Sequence, residues 1–149
     1  MGETINPSMV QIVEEVNGWR QAVRVAAEPL LNEEYIQESY IDAMIQNVEE
    51  MGAYIVLAPR VAVPHARPEK GVNKTGMSVL KLETPVNFNT EGEEDAERWV
   101  RLIFVLAATD NESHIGILQT LSMILDNDET IDALIESNSN EELVDLINK

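Results

Sequence analysis

Residues Trp99 to Ala107 read Trp-Val-Arg-Leu-Ile-Phe-Val-Leu-Ala, a nearly continuous apolar run rich in β-branched and aromatic side chains. An acidic stretch precedes it, Thr90 to Glu97, and the polar Thr109-Asp110-Asn111 follows it. A strand that faced water on one side would alternate. This one does not, so it reads as a central strand covered on both faces. Helices are the natural cover, and the expected fold is therefore an α/β sandwich with helices packed on a mixed sheet.

The rest of the chain supplies both kinds of element. Ser8 to Val13 reads as a short strand. Asn17 is placed to cap a helix from about Gly18 to Leu30, where Ala22, Val23, Ala26 and Leu30 share a face. A second helix follows Asn32, over about 33–51, with Ile41, Met44, Ile45 and Val48 at helical spacing and Gly52 as its stop. Ile55 to Leu57 and Arg60 to Val63 read as short strands bounded by Pro59 and Pro64. Gly76 to Leu82 alternates Met77, Val79 and the aliphatic part of Lys81 against Ser78, Leu80 and Leu82, as a strand does. Asp110 or Asn111 caps a helix from about Glu112 to Leu125, with Ile117, Leu118, Leu121, Ile124 and Leu125 as its buried stripe. A short helix spans Asp128 to Ile135. Ser139 and Glu142 form a capping box that opens a last helix carrying Leu143, Leu146 and Ile147. With no internal repeat or low-complexity linker, the 149 residues are expected to form a single domain.

Composition narrows the function. Ten Lys and Arg stand against 27 Asp and Glu, a net charge of −17. Such a surface repels phosphate backbones and anionic lipid, so no nucleic acid is expected as a partner, and a basic protein would be steered to it. The carboxylates on the first two helices and in the 90–97 loop read as solvated faces. There are no cysteines, which excludes disulfides, thiolate metal sites and cysteine nucleophiles. No long apolar run is present to span a bilayer, and Met1 to Met9 lacks the pattern of a signal peptide, so a cytoplasmic location is expected. Gly71 to Gly76 begins with the gap of a phosphate loop but continues Met77-Ser78, not Lys-Ser/Thr, and reads as a turn. No Gly-x-Ser-x-Gly occurs, which argues against a serine hydrolase.

The two histidines carry what chemistry remains. His65 follows a strand, between Pro64 and Ala66-Arg67-Pro68. The prolines stiffen the turn and the small Ala66 leaves the imidazole accessible, which suits a nucleophile that must be held in place. The plainer alternative is a histidine that fills a turn, and spacing alone leaves that open. His114 falls in the first turn of a helix, where free backbone N–H groups attract anions. The plainer alternative there is a histidine satisfied by its cap neighbours. No third ligand has a telling spacing, so neither a metal nor a cofactor is expected.

Four stretches carry a resemblance: Ala62-Val63-Pro64-His65-Ala66-Arg67-Pro68-Glu69-Lys70-Gly71-Val72, Ile55-Val56-Leu57-Ala58, Lys74-Thr75-Gly76, and Asp110-Asn111-Glu112-Ser113-His114. Over nearly its whole length the sequence resembles the mannitol/fructose-type enzyme IIA proteins of the bacterial sugar phosphotransferase system, most of all their ascorbate-type branch. The resemblance implies a mixed sheet flanked by helices and a phosphotransferase component working through phosphohistidine. His65 would accept a phosphoryl group from the phosphocarrier HPr and pass it to a cysteine of the cognate enzyme IIB, beside which the membrane component IIC imports the sugar, here ascorbate or a related sugar acid. His114 would help hold the phosphoryl group, with Ser113 in a supporting place. Mannitol-type members carry an arginine late in the second helix, where this chain has Gln46-Asn47-Val48-Glu49-Glu50. Arg67 is the residue placed to supply positive charge instead. A regulatory enzyme IIA, phosphorylated in the same way but acting by protein binding, and a non-catalytic acidic interaction domain are the competing readings.

Overall fold

The apolar run becomes the strand around which a mixed five-stranded sheet is laid in this computed structural model, which describes residues 7–52, 54–89 and 92–148. In chain order the strands are β1 (Val10–Val13), β2 (Val56–Ala58), β3 (Val61–Ala62), β4 (Gly76–Asn87) and β5 (Trp99–Ala107), and their order across the sheet is β1-β4-β5-β3-β2. The helices are α1 (Trp19–Asn32), α2 (Glu38–Met51), α3 (Asn111–Leu125), α4 (Asp128–Glu136) and α5 (Asn140–Asn148). β4 and β5 pair antiparallel from Gly76↔Ala107 to Lys81↔Leu102, while β1 joins β4 and β3 joins β5 in parallel. From Leu102 to Ala107 every β5 residue is buried, as the absence of alternation requires.

The alternation of β4 decides which helices cover which face. Ser78 is buried and its hydroxyl donates to Ala26 O of α1 at 2.6 Å. Lys81, three residues on, therefore points to the other face, where its ammonium donates to Ser137 O at the junction of α4 and α5. That lysine is 1% exposed and also meets Glu83 at 2.7 Å, so its buried charge is both paired and hydrogen-bonded. The bridge holds the Glu83 carboxyl below the usual range.

Several boundaries differ from the expectations, each for a local reason. Residues Pro7–Met9 form a 3₁₀ turn before β1. Asn17 does not cap α1: Gly18 is the residue before the helix, at φ 103°, without a side-chain cap, and the Asn17 N–H donates to Gln21 Oε1. The second helix begins at Glu38, not near 33, because Glu34 turns left-handed at φ 64° and Ile36 forms a bridge to Val72. Gly52 ends it as expected, at φ 77°. β4 runs past Leu82 to Asn87 through an irregularity between Lys81 and Val86, where Pro85 has no N–H to give the ladder. Arg101 Nε donates to Leu82 O at 3.0 Å within that irregularity. The α3 stripe is only partly buried. Leu121 alone on that helix is fully covered, Ile117, Leu118, Ile124 and Leu125 are half-buried, and Met123 is 78% exposed. Half of the α5 capping box forms: Ser139 Oγ accepts from the Glu142 N–H at 3.1 Å, while the Glu142 carboxylate reaches past the cap to the Asn138 N–H at 3.0 Å. Of the acidic loop, Thr90 and Glu91 lie outside the described residues, as do residues 1–6 of the start, and 92–95 are exposed. Among the described residues no helix is long and apolar enough to cross a membrane.

Pro29 inside α1 cannot donate to the carbonyl of Val25 one turn earlier. The Gln11 side-chain amide on β1 takes its place, donating to Val25 O at 2.7 Å. Gln11→Ala should leave that carbonyl without a partner and cost about 1–3 kcal/mol. Urea unfolding should show a lower midpoint with an unchanged slope, and an unchanged midpoint would remove Gln11 from this role.

Candidate active site

The loop carrying His65 is fastened where β5 outruns β3. β3 ends at Ala62, so the Leu106 N–H and C=O lie past the strand that would pair them. Buried backbone groups need partners. The Leu106 N–H donates to Pro64 O at 3.2 Å, and its carbonyl accepts the Tyr40 hydroxyl at 2.6 Å. The same hydroxyl accepts the Ala66 N–H at 3.0 Å, with Ala66 O 3.2 Å away. Tyr40 sits in the first turn of α2 and is 1% exposed; burial pushes its phenol up to about 12, so it stays a neutral bridge. Further along, the Pro68–Lys70 turn docks on α2, with Ser39 Oγ donating to Lys70 O at 2.8 Å. Gly71 is required there: at φ 135°, an added Cβ would fall 2.6 Å from Ser39 Oγ and 3.1 Å from the Tyr40 nitrogen.

The His65 ring is oriented from within its own turn. Its Nδ1 lies 2.8 Å from Val63 O. A carbonyl can only accept, so Nδ1 carries the proton and Nε2 keeps a free lone pair. Asn47 Nδ2 approaches His65 O at 3.5 Å. Two rings flank the imidazole: His114 with centroids 5.2 Å apart, and Tyr54, edge-on, at 5.9 Å. These residues line a cleft of about 290 Å³ together with Met51 and Arg67.

Sequence positions far apart thus converge. Of the four predicted residues, His65, His114 and Arg67 line the cleft. Arg67 is exposed and has no ion-pair partner among the described residues. Ser113 is not in the lining; its N–H and hydroxyl both bond Asp110. The Ser113 bonds above all, and then the Glu112 N–H, hold the Asp110 carboxyl below the usual range. The start of α3 is therefore not the set of free N–H groups that the sequence suggested. A carboxylate already occupies part of it. His114 is held below the ordinary imidazole value of 6.5, first by burial and then by the nearby His65. No group of three or more His, Asp or Glu able to hold a metal ion occurs among the described residues. The sequence reading did not single out Tyr40, Asn47 or Tyr54 as site residues. A polar Asn47 beside the buried stripe Met44–Val48 was the available signal.

Residues 3–149 match the family model described as phosphoenolpyruvate-dependent sugar phosphotransferase system, EIIA 2. The chain is 37% identical over 142 residues to the mannitol-specific cryptic phosphotransferase enzyme IIA component of Escherichia coli K12, covering 95% of this chain and 93% of that protein. It is 32% identical over 142 residues to the ascorbate-specific EIIA component of the same organism, covering 94% of this chain and 89% of that one. Its fold matches the E. coli mannitol enzyme IIA solved in complex with phosphorylated enzyme IIB, with a TM-score of 0.81, 26% identity, and 96% of each chain covered.

The His114 shift gives a signed expectation. In an NMR titration the His114 midpoint should lie below 6.5, so the ring is neutral at pH 7. His65→Ala should raise that midpoint only part of the way, because burial, the larger cause, remains. A wild-type midpoint at or above 6.5 contradicts the geometry. Tyr40→Phe strands Leu106 O and the Ala66 N–H together, and denaturant unfolding should show a loss of about 1–3 kcal/mol.

Proposed function

The chain belongs to the EIIA 2 family of the phosphoenolpyruvate-dependent sugar phosphotransferase system, and on that premise we propose that His65 is its phosphoryl carrier, taking the group from HPr and giving it to a cysteine of an enzyme IIB. Enzyme IIA components are phosphotransferase components, and the α/β fold here is theirs. The observation that carries the residue assignment is the paired imidazoles, 5.2 Å apart in one cleft, with the His65 Nδ1 proton committed to Val63 O.

Loading breaks the P–N bond on the imidazole of HPr and forms one on His65 Nε2, the electron pair returning to the imidazole of HPr. The Nδ1 proton stays against Val63 O throughout. A ring that keeps this proton is a good leaving group, so the P–N bond is easily given up. Unloading breaks it as a P–S bond forms on the cysteine of IIB, and the lone pair returns to Nε2. Phosphoryl transfer asks the protein for in-line positioning and charge stabilisation above all. His114 donates to the phosphoryl oxygens, and a nearby anion draws a proton onto a ring that is otherwise neutral. Arg67 adds a cation at the mouth, where a mannitol-type arginine is lacking.

The partners follow from the surface. A net charge of −17 steers a basic donor. Met51, 58% exposed, lines the cleft, and Ile115, 54% exposed, stands next to His114, so a transient partner meets apolar contact at the site itself. Through IIB the phosphoryl group serves a membrane IIC and a sugar acid of the ascorbate type. The 149 residues work as a single cytoplasmic domain without a cofactor.

Intact-mass spectrometry tests this, with the chain incubated at neutral to basic pH with enzyme I, HPr and phosphoenolpyruvate. The wild type should gain one phosphate and His65→Ala none. His114→Ala should still accept but transfer onward more slowly, and Arg67→Gln should slow both steps, by roughly 10-fold or more. A wild type that gains no phosphate points to the interaction-domain reading.

A further inference from the structure

Arg67 and His114 leave one wall of the cleft unassigned. It is made by Tyr54 and Asn47, which nothing above places in the reaction. Tyr54 precedes β2 and turns its ring edge-on to His65, at 5.9 Å between centroids and 70° between planes. It is 38% exposed, a phenol at the surface of the cleft and not a core residue. Asn47 lies in the penultimate turn of α2, and its side chain hydrogen-bonds the Tyr54 hydroxyl. The Asn47 amide nitrogen is turned to this side of the cleft and can donate to the phenol oxygen, which leaves the hydroxyl hydrogen to donate elsewhere. Burial lifts the Tyr54 phenol above its ordinary value, so the hydrogen is present at any pH at which the protein works. The Asn47 amide nitrogen also approaches His65 O at 3.5 Å, which ties this wall to the nucleophile's own backbone.

We propose that the Tyr54 hydroxyl donates a hydrogen bond to the phosphoryl group carried on His65, and that Asn47 is the positioning residue that aims it. The inference rests on the assignment of His65 as the carrier. The neutral donor stands in the segment between α2 and β2, and the residue that aims it stands on α2. A neutral dipole stabilises the transferring group without the deep electrostatic trap of a buried cation, which suits a group that must leave again.

The test measures single-turnover phosphorylation of the wild type, Tyr54→Phe, Asn47→Ala and the double variant by phospho-HPr, with phosphorus NMR of the loaded protein. Tyr54→Phe keeps the ring and its packing. It should slow the transfer step by roughly 10-fold or more while leaving the half-saturating HPr concentration unchanged, and it should move the phosphohistidine resonance. Asn47→Ala should slow transfer less. The double variant should be no slower than Tyr54→Phe alone, because Asn47 acts through the phenol. A wild-type rate and resonance in Tyr54→Phe overturn the inference while the carrier assignment stands. Additive losses in the double variant overturn the positioning role of Asn47. A wild type that accepts no phosphate at all overturns the carrier assignment and this inference with it.

Discussion

One buried hydroxyl joins the sheet to the chemistry. Tyr40 donates to Leu106 O on β5 and accepts from Ala66 beside His65, so the buried central strand takes hold of a loop that has left the sheet. Neither bond is large by itself, since a typical net contribution is about 1 kcal/mol. Their weight lies in what their absence exposes: two buried backbone groups and the hydroxyl itself, each costly without a partner. Because the bridge is satisfied on both sides, it fixes the loop in one place. The approach of Gly71 to Ser39 and Tyr40 fixes it a second time, from the far side of the histidine. A side chain on a surface loop is then held like one on a secondary-structure element, which is what the proposed nucleophile needs.

The electrostatics of the cleft follow from a conflict. The chain is strongly acidic, and Asp110 places a carboxylate on the N–H groups that begin α3, yet the site has to accept an anion. A helix start already neutralised by its cap offers little to a phosphoryl group. The cap is still needed, because an uncapped start costs about 1 kcal/mol and His114 sits in that first turn. What α3 gives the cleft is therefore a position for one imidazole and not a dipole. In the proposed mechanism charge stabilisation falls to side chains drawn from three segments that line the cleft: His114 from α3, Arg67 from the loop, and the polar pair on α2 and the turn after it.

That division explains what was legible in the sequence. The β5 run announced its own burial, the alternation of β4 fixed its two faces, and prolines around His65 marked a stiff turn. These are local signals, each carried by adjacent or periodically spaced residues. The failures share the opposite character. Asn17 has the right type for a cap, but the helix is entered through Gly18 at a positive φ that suits glycine, and the asparagine side chain was not used. The α3 stripe has the right period, but α3 meets the sheet chiefly at β5 and otherwise packs on α4, and among its residues only Leu121 is fully buried. Tyr40 joins residues 26 and 66 positions away, and no pattern of spacing points to such a meeting. His114 stood out as one of two histidines and at a helix start, but its pairing with His65 rested on the resemblance alone.

A phosphoryl carrier is constrained from two sides, and the structure bears the marks of both. Holding the group too weakly loses it to water; holding it too strongly stops onward transfer, since only interactions stronger in the transition state than in the loaded state speed the reaction. A deep pocket lined by cations would satisfy the first demand and fail the second. Here the cleft is open, its one cation, Arg67, is exposed, and burial and the neighbouring His65 favour the neutral form of its second imidazole. In the proposed mechanism such a site gains charge stabilisation as the phosphoryl group enters and gives it back as the group leaves. The rigid parts, Val63 O on Nδ1 and Tyr40 on the loop, contribute no charge at all. They hold position while the electrostatics change, and for that reason they are built from backbone carbonyls and a phenol that burial keeps un-ionised.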